Sequence, residues 1–451
     1  KFNIIMPAYN DVKFYQPLYN SIYNLICTFL FILSISNRVS SLILSAGQRM
    51  PPRVIPTNTG PFLVSSPEQR ISIMDLPQVE RWASQHGLQE HHLKKLYRVI
   101  FESSNYMEDL NDSLVQAEFP KKYAASLAEH FVFGKCQLIE SQKSDGGFKL
   151  IIQLTSGKLI ETVIIRHERD FQKRRRYTVC VSSQVGCSKG CTFCATGTMG
   201  LEAQLSSSEI LEQVWIARHF VLVEERKNNC NDEPLQTNGK HINNILRNVV
   251  FMGMGEPLDN YDAVYEACRG LTHQCLFGLK GKHVTISTVG ATPKLIRQLA
   301  EEAPQVSLAL SLHGPTQSSR ERLIPSARRS SLEELGSALD YHSIQTGRGA
   351  MIEYLMIHGI NDDEESCIAL ASFCRERCHM GDTKVKSFVN LIPYNPTTAG
   401  EQFGYRTPPD DRIYSFQRHL QERGIQALIR WTSATGRDTN GACGQLALSR
   451  K

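Results

Sequence analysis

"CSKGCTFCATGTMG", residues 187–200, sets three cysteines within eight residues and follows them with glycines. A tetrahedral structural zinc takes four ligands. Three thiolates on a four-iron cluster would instead leave one iron open to a further ligand, and so reactive. The offsets of four and three between Cys187, Cys191 and Cys194 suit a loop wrapped around one cluster. Spacing alone leaves a second reading open, in which Cys180 is a fourth ligand for zinc or for a closed electron-transfer cluster.

Downstream of the cysteines, "SSSEILEQVWIARHFV" reads as a helix, with Ser206 and Glu209 spaced as a capping box. Six strand-like runs then alternate with helical ones: "NVVFMGMG", "HVTISTVG", "VSLALSLHG", "AMIEYLMIHG", "VKSFVNLIPYN" and "IQALIRW". Strands alternating with helices imply a parallel sheet, and such sheets carry their chemistry on loops at the C-terminal strand ends. Here those ends deliver Gly, Ser, His and Asn. Six units are fewer than a closed barrel needs, so the expected fold class is α/β, an open partial (βα)6 barrel.

Upstream, residues 134–165 change to a strand period, with turns at Asp145-Gly146-Gly147 and Ser156-Gly157 that predict hairpins. Residues 70–130 carry helical spacing: Leu76, Val79 and Trp82, then Leu93, Leu96, Val99 and Ile100, then "YAASLAEHFVF". His91 and His92 have no partner at ligand spacing and read as surface. Between hairpin and barrel lies "RHERDFQKRRR" (166–176), with six Lys or Arg against two acidic residues, either solvated surface or a phosphate contact. The polar stretch 225–241 reads as an exposed insertion.

The chain of 451 residues is 41% hydrophobic and 21% charged with a net charge of +5, which permits an anionic partner without requiring one. Thirteen cysteines are too few for a disulfide scaffold and their odd number argues against complete pairing, while the clustering at 180, 187, 191 and 194 reads as metal chemistry in a reducing compartment. The core of the apolar run at 22–37, Leu25 to Ile35, is short for a bilayer span and has the length of a targeting segment's apolar region, with a membrane anchor or a misassigned start as the other readings. "MPPRVIPTNTGP" (50–61) reads as the linker before the fold. Cys374 and Cys378 lack further ligands nearby and are left structural.

"CSKGCTFC" matches the signature of the radical S-adenosylmethionine superfamily. "CVSSQVGC" (180–187), "FMGMGEPLDN" (251–260), "SLALSLHGPTQ" (307–317), "NLIPYNP" (390–396) and "GACGQL" (441–446) follow in the order seen in the dual-specificity RNA adenine C2 methyltransferases. The chain resembles that family from about residue 70 onward. The resemblance implies a [4Fe-4S] cluster on Cys187, Cys191 and Cys194. It also implies S-adenosylmethionine held by Gly255, Glu256, Ser287, Ser311, Leu312, His313 and Asn395.

By the same resemblance Cys443 is the methyl carrier, Cys180 the resolving cysteine that forms a transient disulfide with it, and Glu161 the proton-abstracting carboxylate. Glu161 stands 19 residues before Cys180, farther than the family pattern leads one to expect, as though the basic run were inserted between them. The implied substrates are rRNA and tRNA, and the implied electron source is an external one-electron reductant such as flavodoxin or ferredoxin. A monomer without stable membrane association is expected, cytoplasmic or, with a targeting segment, inside an organelle.

The domains expected are an N-terminal extension at 1–65, a helical accessory RNA-binding domain at 66–132, a β-hairpin connector with the basic run at 133–176, and the radical-SAM catalytic domain at 177–451. Two other readings stand beside this one: a C8-specific rRNA adenosine methyltransferase, and a nonenzymatic RNA-binding iron–sulfur or zinc protein.

Overall fold

A computed structural model describes residues 70–102, 109–167, 176–228, 245–377, 388–432 and 441–447. The apolar run at 22–37, the linker at 50–61, residues 168–175 of the basic run and Cys378 lie outside the described residues.

The helical module begins with α1 (Leu76–Gln85), whose Asp75 cap accepts a hydrogen bond from the Gln78 N–H at 3.3 Å. Leu76, Val79, Trp82 and Ala83 form its buried face, at the spacing the sequence predicts. The module continues through α2 (Glu90–Glu102), α3 (Leu110–Gln116) and α4 (Lys121–His130). Its two ends are tied by a short parallel pair, β1 (Ile71–Ser72) on β2 (Phe131–Val132).

Next come β3 (Gln137–Ser144), β4 (Gly147–Gln153) and β5 (Leu159–His167), antiparallel and joined at the two predicted turns. β6 (Arg176–Cys180) pairs antiparallel with β5, with His167 opposite Arg176. Glu161 and Cys180 therefore lie on adjacent antiparallel strands despite the 19 residues between them. Register places Val163 opposite both Lys149 on β4 and Cys180 on β6. Because side chains alternate along a strand, Lys149, Glu161 and Cys180 share one face of the sheet.

The other edge of β6 pairs parallel with β9 (Leu246–Phe251), reached through the hairpin β7 (Gln184–Cys187) and β8 (Gly200–Gln204) and the helix α5 (Ser207–Asn228). Ser206 and Glu209 close the capping box at the start of α5, each side chain accepting from the other's backbone N–H. This helix runs on to 228, so residues 225–228 are helical rather than part of the insertion. Their Glu, Arg and Lys are good helix formers.

The parallel run continues through β10 (Val284–Thr288), β11 (Ser307–Ser311), β12 (Met351–Met356), β13 (Val389–Pro393) and β14 (Ala427–Ile429). Between these strands come α6 (Tyr261–Thr272), α7 (Pro293–Glu302), α8 (Gln317–Leu323), α9 (Leu332–Thr346), α10 (Glu364–Arg377), the short α11 (Thr398–Glu401) and α12 (Asp410–Glu422). The sheet order is β14-β13-β12-β11-β10-β9-β6-β5-β4-β3, and among the described residues β14 and β3 are its edges, so the barrel is open. The six strands read in the sequence are all present, and β6 adds a further parallel strand. Hairpin and barrel form one continuous sheet.

Parallel strands covered on both faces must be apolar throughout. Val284 and Ile286, Leu308 and Leu310, and Ile352, Tyr354 and Met356 are accordingly buried. Polar residues collect where these strands end.

Candidate active site

Seven parallel strands bring their C-terminal ends to one mouth. The cysteine loop is held there by its neighbours. Gly186 adopts φ +73, and a Cβ on it would lie 1.9 Å from the Gly200 carbonyl oxygen, so only glycine lets β7 and β8 close at that point. Lys189, almost fully buried, pairs with Asp259 at 2.8 Å and pins the loop to the turn after β9. The Thr192 N–H donates to the Leu323 carbonyl at 3.0 Å.

Burial raises all three loop thiols, Cys187 to about 12 and Cys191 and Cys194 upward. A bound metal centre supplies the positive charge that a buried thiolate needs. Three thiols carried on one loop are a donor set that an iron–sulfur group takes. Elsewhere in the fold, the ligand atoms of Glu90, His273 and Cys275 lie within 4.8 Å of one another.

Beside the loop, a Cβ on Gly255 (φ +104) would meet Gln184 at 2.6 Å, so the backbone approaches closely here. The Gln184 amide oxygen accepts from the Glu256 N–H at 2.8 Å. Glu256 is buried, and its carboxylate accepts from the N–H groups of Val289 at 3.0 Å and Leu258 at 3.2 Å. Burial raises its carboxyl; the Val289 hydrogen bond, Thr288 and Lys189 oppose that. Ser287 and Ser311 face each other at 3.3 Å from adjacent strands.

Leu312 is fully buried and His313 nearly so. His313 has a left-handed backbone (φ 54), unusual for a residue with a side chain. Its Nδ1 accepts from the Leu355 N–H at 3.0 Å, and Asn361 holds its carbonyl at 2.7 Å. Burial, aided by Arg320, lowers the imidazole to about 3. The ring is therefore neutral and its proton sits on Nε2. Asn395 is 2% exposed, and its Nδ2 has no hydrogen-bond partner among the described residues. A buried amide donor left open is a costly feature, and it suits a ligand's acceptor.

The segment carrying Cys443 docks against the cysteine loop. The Gly444 carbonyl accepts from the Ala195 N–H at 2.8 Å, the Leu446 carbonyl accepts from the Thr196 hydroxyl, and Gln445 donates to the Pro396 carbonyl at 2.9 Å. Cys443 and Cys180 are both free thiols. Cys180 is pushed up to about 12 by burial, then by Cys443, with Arg430 pulling the other way. Glu161 is buried and pairs with Lys149 at 3.1 Å. Burial raises its carboxyl against the pull of that lysine.

Several residues of the site escape a reading of the sequence. Lys149 sits inside the apolar run "GFKLIIQ", where a lone charge is a usable signal. Arg320, 3% exposed, donates to the carbonyls of Val289, Ser311 and Leu312 and so fixes three strand-end oxygens. Gln184 and Arg430 carry no sequence signal beyond their place beside a motif.

An open parallel barrel with a three-cysteine loop and a polar mouth at its strand ends is the architecture of a radical S-adenosylmethionine enzyme. Residues 181–371 match the Radical SAM superfamily. The probable dual-specificity RNA methyltransferase RlmN of Thermotoga neapolitana is 38% identical over 81% of this chain and 93% of its own length. The ribosomal RNA large subunit methyltransferase N of Nitrosopumilus maritimus is 37% identical over 76% and 88%. A radical SAM methyltransferase of Sphaerobacter thermophilus, of known crystal structure, superposes with a TM-score of 0.69 at 32% identity, covering 83% of this chain and 99% of that one. The chain belongs to the RlmN family of radical S-adenosylmethionine RNA methyltransferases. No described helix is long and apolar enough to cross a membrane.

Proposed function

We propose that the protein methylates C2 of adenosine in ribosomal and transfer RNA through a methylated Cys443. The observation that carries this reading is the docking of the Cys443 segment onto the cysteine loop through Ala195 and Thr196, with Cys180 in electrostatic reach of Cys443. Cys187, Cys191 and Cys194 would hold a [4Fe-4S] group, which on reduction by an external one-electron donor such as flavodoxin or ferredoxin would supply the electron for cleavage of S-adenosylmethionine. Everything else falls to this chain.

The Asn395 amide, the Ser287 and Ser311 hydroxyls and the Gly255–Glu256 backbone offer polar contacts to the nucleoside and amino-acid ends of that molecule. Cys443 carries the methyl group. Glu161, buried and paired with Lys149, accepts the proton that C2 must lose. Cys180 then attacks the Cys443 sulfur, forming a disulfide that frees the base. The raised Cys180 thiol stays protonated in the resting site, which keeps it from reacting early. The accessory helices (66–132) and the hairpin connector (133–176) present the RNA, whose target base must leave its stack.

Cys180→Ala tests the assignment. It should retain iron and sulfide and accumulate enzyme joined to RNA through Cys443, located by mass spectrometry after nuclease digestion. Cys443→Ala should bind RNA and form neither adduct nor methyladenine. Multiple turnover by Cys180→Ala without adduct rejects the resolving role, and digestion of the product RNA separates C2 from C8 methylation.

A further inference from the structure

The helical module and the barrel meet along one stripe of α2. Leu93, Tyr97 and Phe101 follow one another at helical spacing and are all buried. Phe101 packs edge-on against Phe277 of the turn after α6, with ring centroids 4.8 Å apart. Its carbonyl accepts from Arg218 Nη1 on α5 at 2.8 Å, and Glu80 on α1 pairs with Arg269 on α6 at 3.1 Å. Glu90, the first residue of α2, continues the stripe three residues before Leu93. There the apolar contact gives way to three donors. A Glu90 carboxylate oxygen, a His273 ring nitrogen and Cys275 Sγ lie within 4.8 Å of one another.

One tight turn presents two of the three. The His273 carbonyl accepts from the N–H groups of Leu276 at 3.1 Å and Gly278 at 3.0 Å, and the Cys275 N–H donates to His273 Nδ1 at 3.3 Å. Cys275 is 7% exposed, whereas Glu90 is open to solvent. An imidazole and a carboxylate can form an ion pair by themselves, but that gives no reason for a sulfur at the same point. Glu90 at a helix start is already favoured by the helix dipole, which gives it no cause to meet a thiol on another element. Thiolate, imidazole and carboxylate are together the donor types of zinc, whereas calcium and magnesium take oxygen alone. With metal–ligand distances of about 2.0–2.3 Å, tetrahedral donors stand about 3.3–3.8 Å apart, so small side-chain movements close the set. A metal taking the Nδ1 lone pair would replace the long contact from the Cys275 N–H.

This cluster is remote from the mouth. α6 starts beside the Glu256 turn, and its 12 residues carry the chain about 18 Å toward the opposite end of the barrel. In α/β barrels that opposite end serves stability rather than chemistry.

We propose that Glu90, His273 and Cys275 form a zinc site that clips the helical module to the barrel, with solvent completing the tetrahedron on the exposed Glu90 side. Binding deprotonates the Cys275 thiol and releases that proton to solvent, and the cation offsets the charge of the buried thiolate. No electron moves, because zinc has no redox chemistry. The clip fixes the first turn of α2 against the turn after α6. It does not depend on the methyl-carrier reading of Cys443.

Reconstituted holoenzyme of known iron content is dialysed anaerobically against zinc chloride, and bound zinc is counted by elemental analysis. The wild type should hold one zinc ion per chain, and X-ray absorption at the zinc edge should show one sulfur among nitrogen and oxygen neighbours. Cys275→Ser should bind zinc at least about tenfold more weakly, since losing a ligand costs no less than losing an outer-shell partner. Glu90→Gln, at an exposed position, should also weaken binding, with iron content unchanged. Zinc should raise the Tm of the wild type more than that of either variant. A zinc edge with three sulfurs would put the ion on the cysteine loop and overturn the inference. Equal binding by the wild type and Cys275→Ser, or a holoenzyme that takes up no zinc, would overturn it as well.

Discussion

A lysine ammonium and a glutamate buried on one sheet face have no water to fall back on. Lys149 and Glu161 have side chains 5% and 2% exposed, so removing one leaves the other as an uncompensated charge. Lys149→Met should therefore cost about 3–5 kcal/mol. Burial raises the Glu161 carboxyl, so the stability it contributes is whole below the unfolded value of about 4.3 and is lost as pH rises through the folded one. Without Lys149 the folded value climbs further. The Tm deficit of Lys149→Met should then be larger near about pH 8 than near about pH 5, read by thermal unfolding at both. At this scale the cysteines were legible, because motif chemistry is local: Cys187, Cys191, Cys194 and Cys443 are named by their neighbours in the chain. Lys149, Arg320 and Arg430 were not, because what they touch is set by strand register.

At the level of elements, the cap of α1 and the turn of the β7–β8 hairpin make separate predictions. Burial holds the Asp75 carboxyl up at about 6, so its ionisation opposes folding. Stability from this group is complete below the unfolded value of about 4 and is lost as pH rises through about 6. Asp75→Asn keeps a capping oxygen and removes the charge. It should raise Tm above that window and leave it unchanged well below, in a melting series across pH. Gly186→Ala drives a Cβ into the Gly200 carbonyl, whereas Gly87→Ala (φ +64) meets nothing within 4 Å. The first should lower iron and sulfide bound on reconstitution, and the second should cost only the left-handed backbone penalty of about 1–2 kcal/mol. The turns at 145–147 and 156–157 and the Ser206–Glu209 box were legible because each is built from adjacent residues.

For the whole molecule, the continuous sheet puts the last residue of the basic run on the strand that ends in the site: Arg176 begins β6 and Cys180 ends it. Neutralising Lys173 through Arg176 should weaken RNA binding and flatten the slope of its salt dependence by about 0.7 for each phosphate deprived of its cation, measured by filter binding over a salt series. Cleavage of S-adenosylmethionine should persist in that variant. The alternation of strands and helices disclosed an open barrel, but not that the upstream hairpins extend its sheet, because antiparallel strands announce only their local partners. One further consequence follows from the hydrogen bond of Thr196 to Leu446, which closes the site across 250 residues. A ribosome adding about 5–20 residues per second needs on the order of 12–50 s to travel that distance. During that interval a nascent chain already has Cys187, Cys191 and Cys194 and still lacks Cys443. Translation thus separates the two cysteine groups in time, and a chain released early carries the loop without the segment that docks on it.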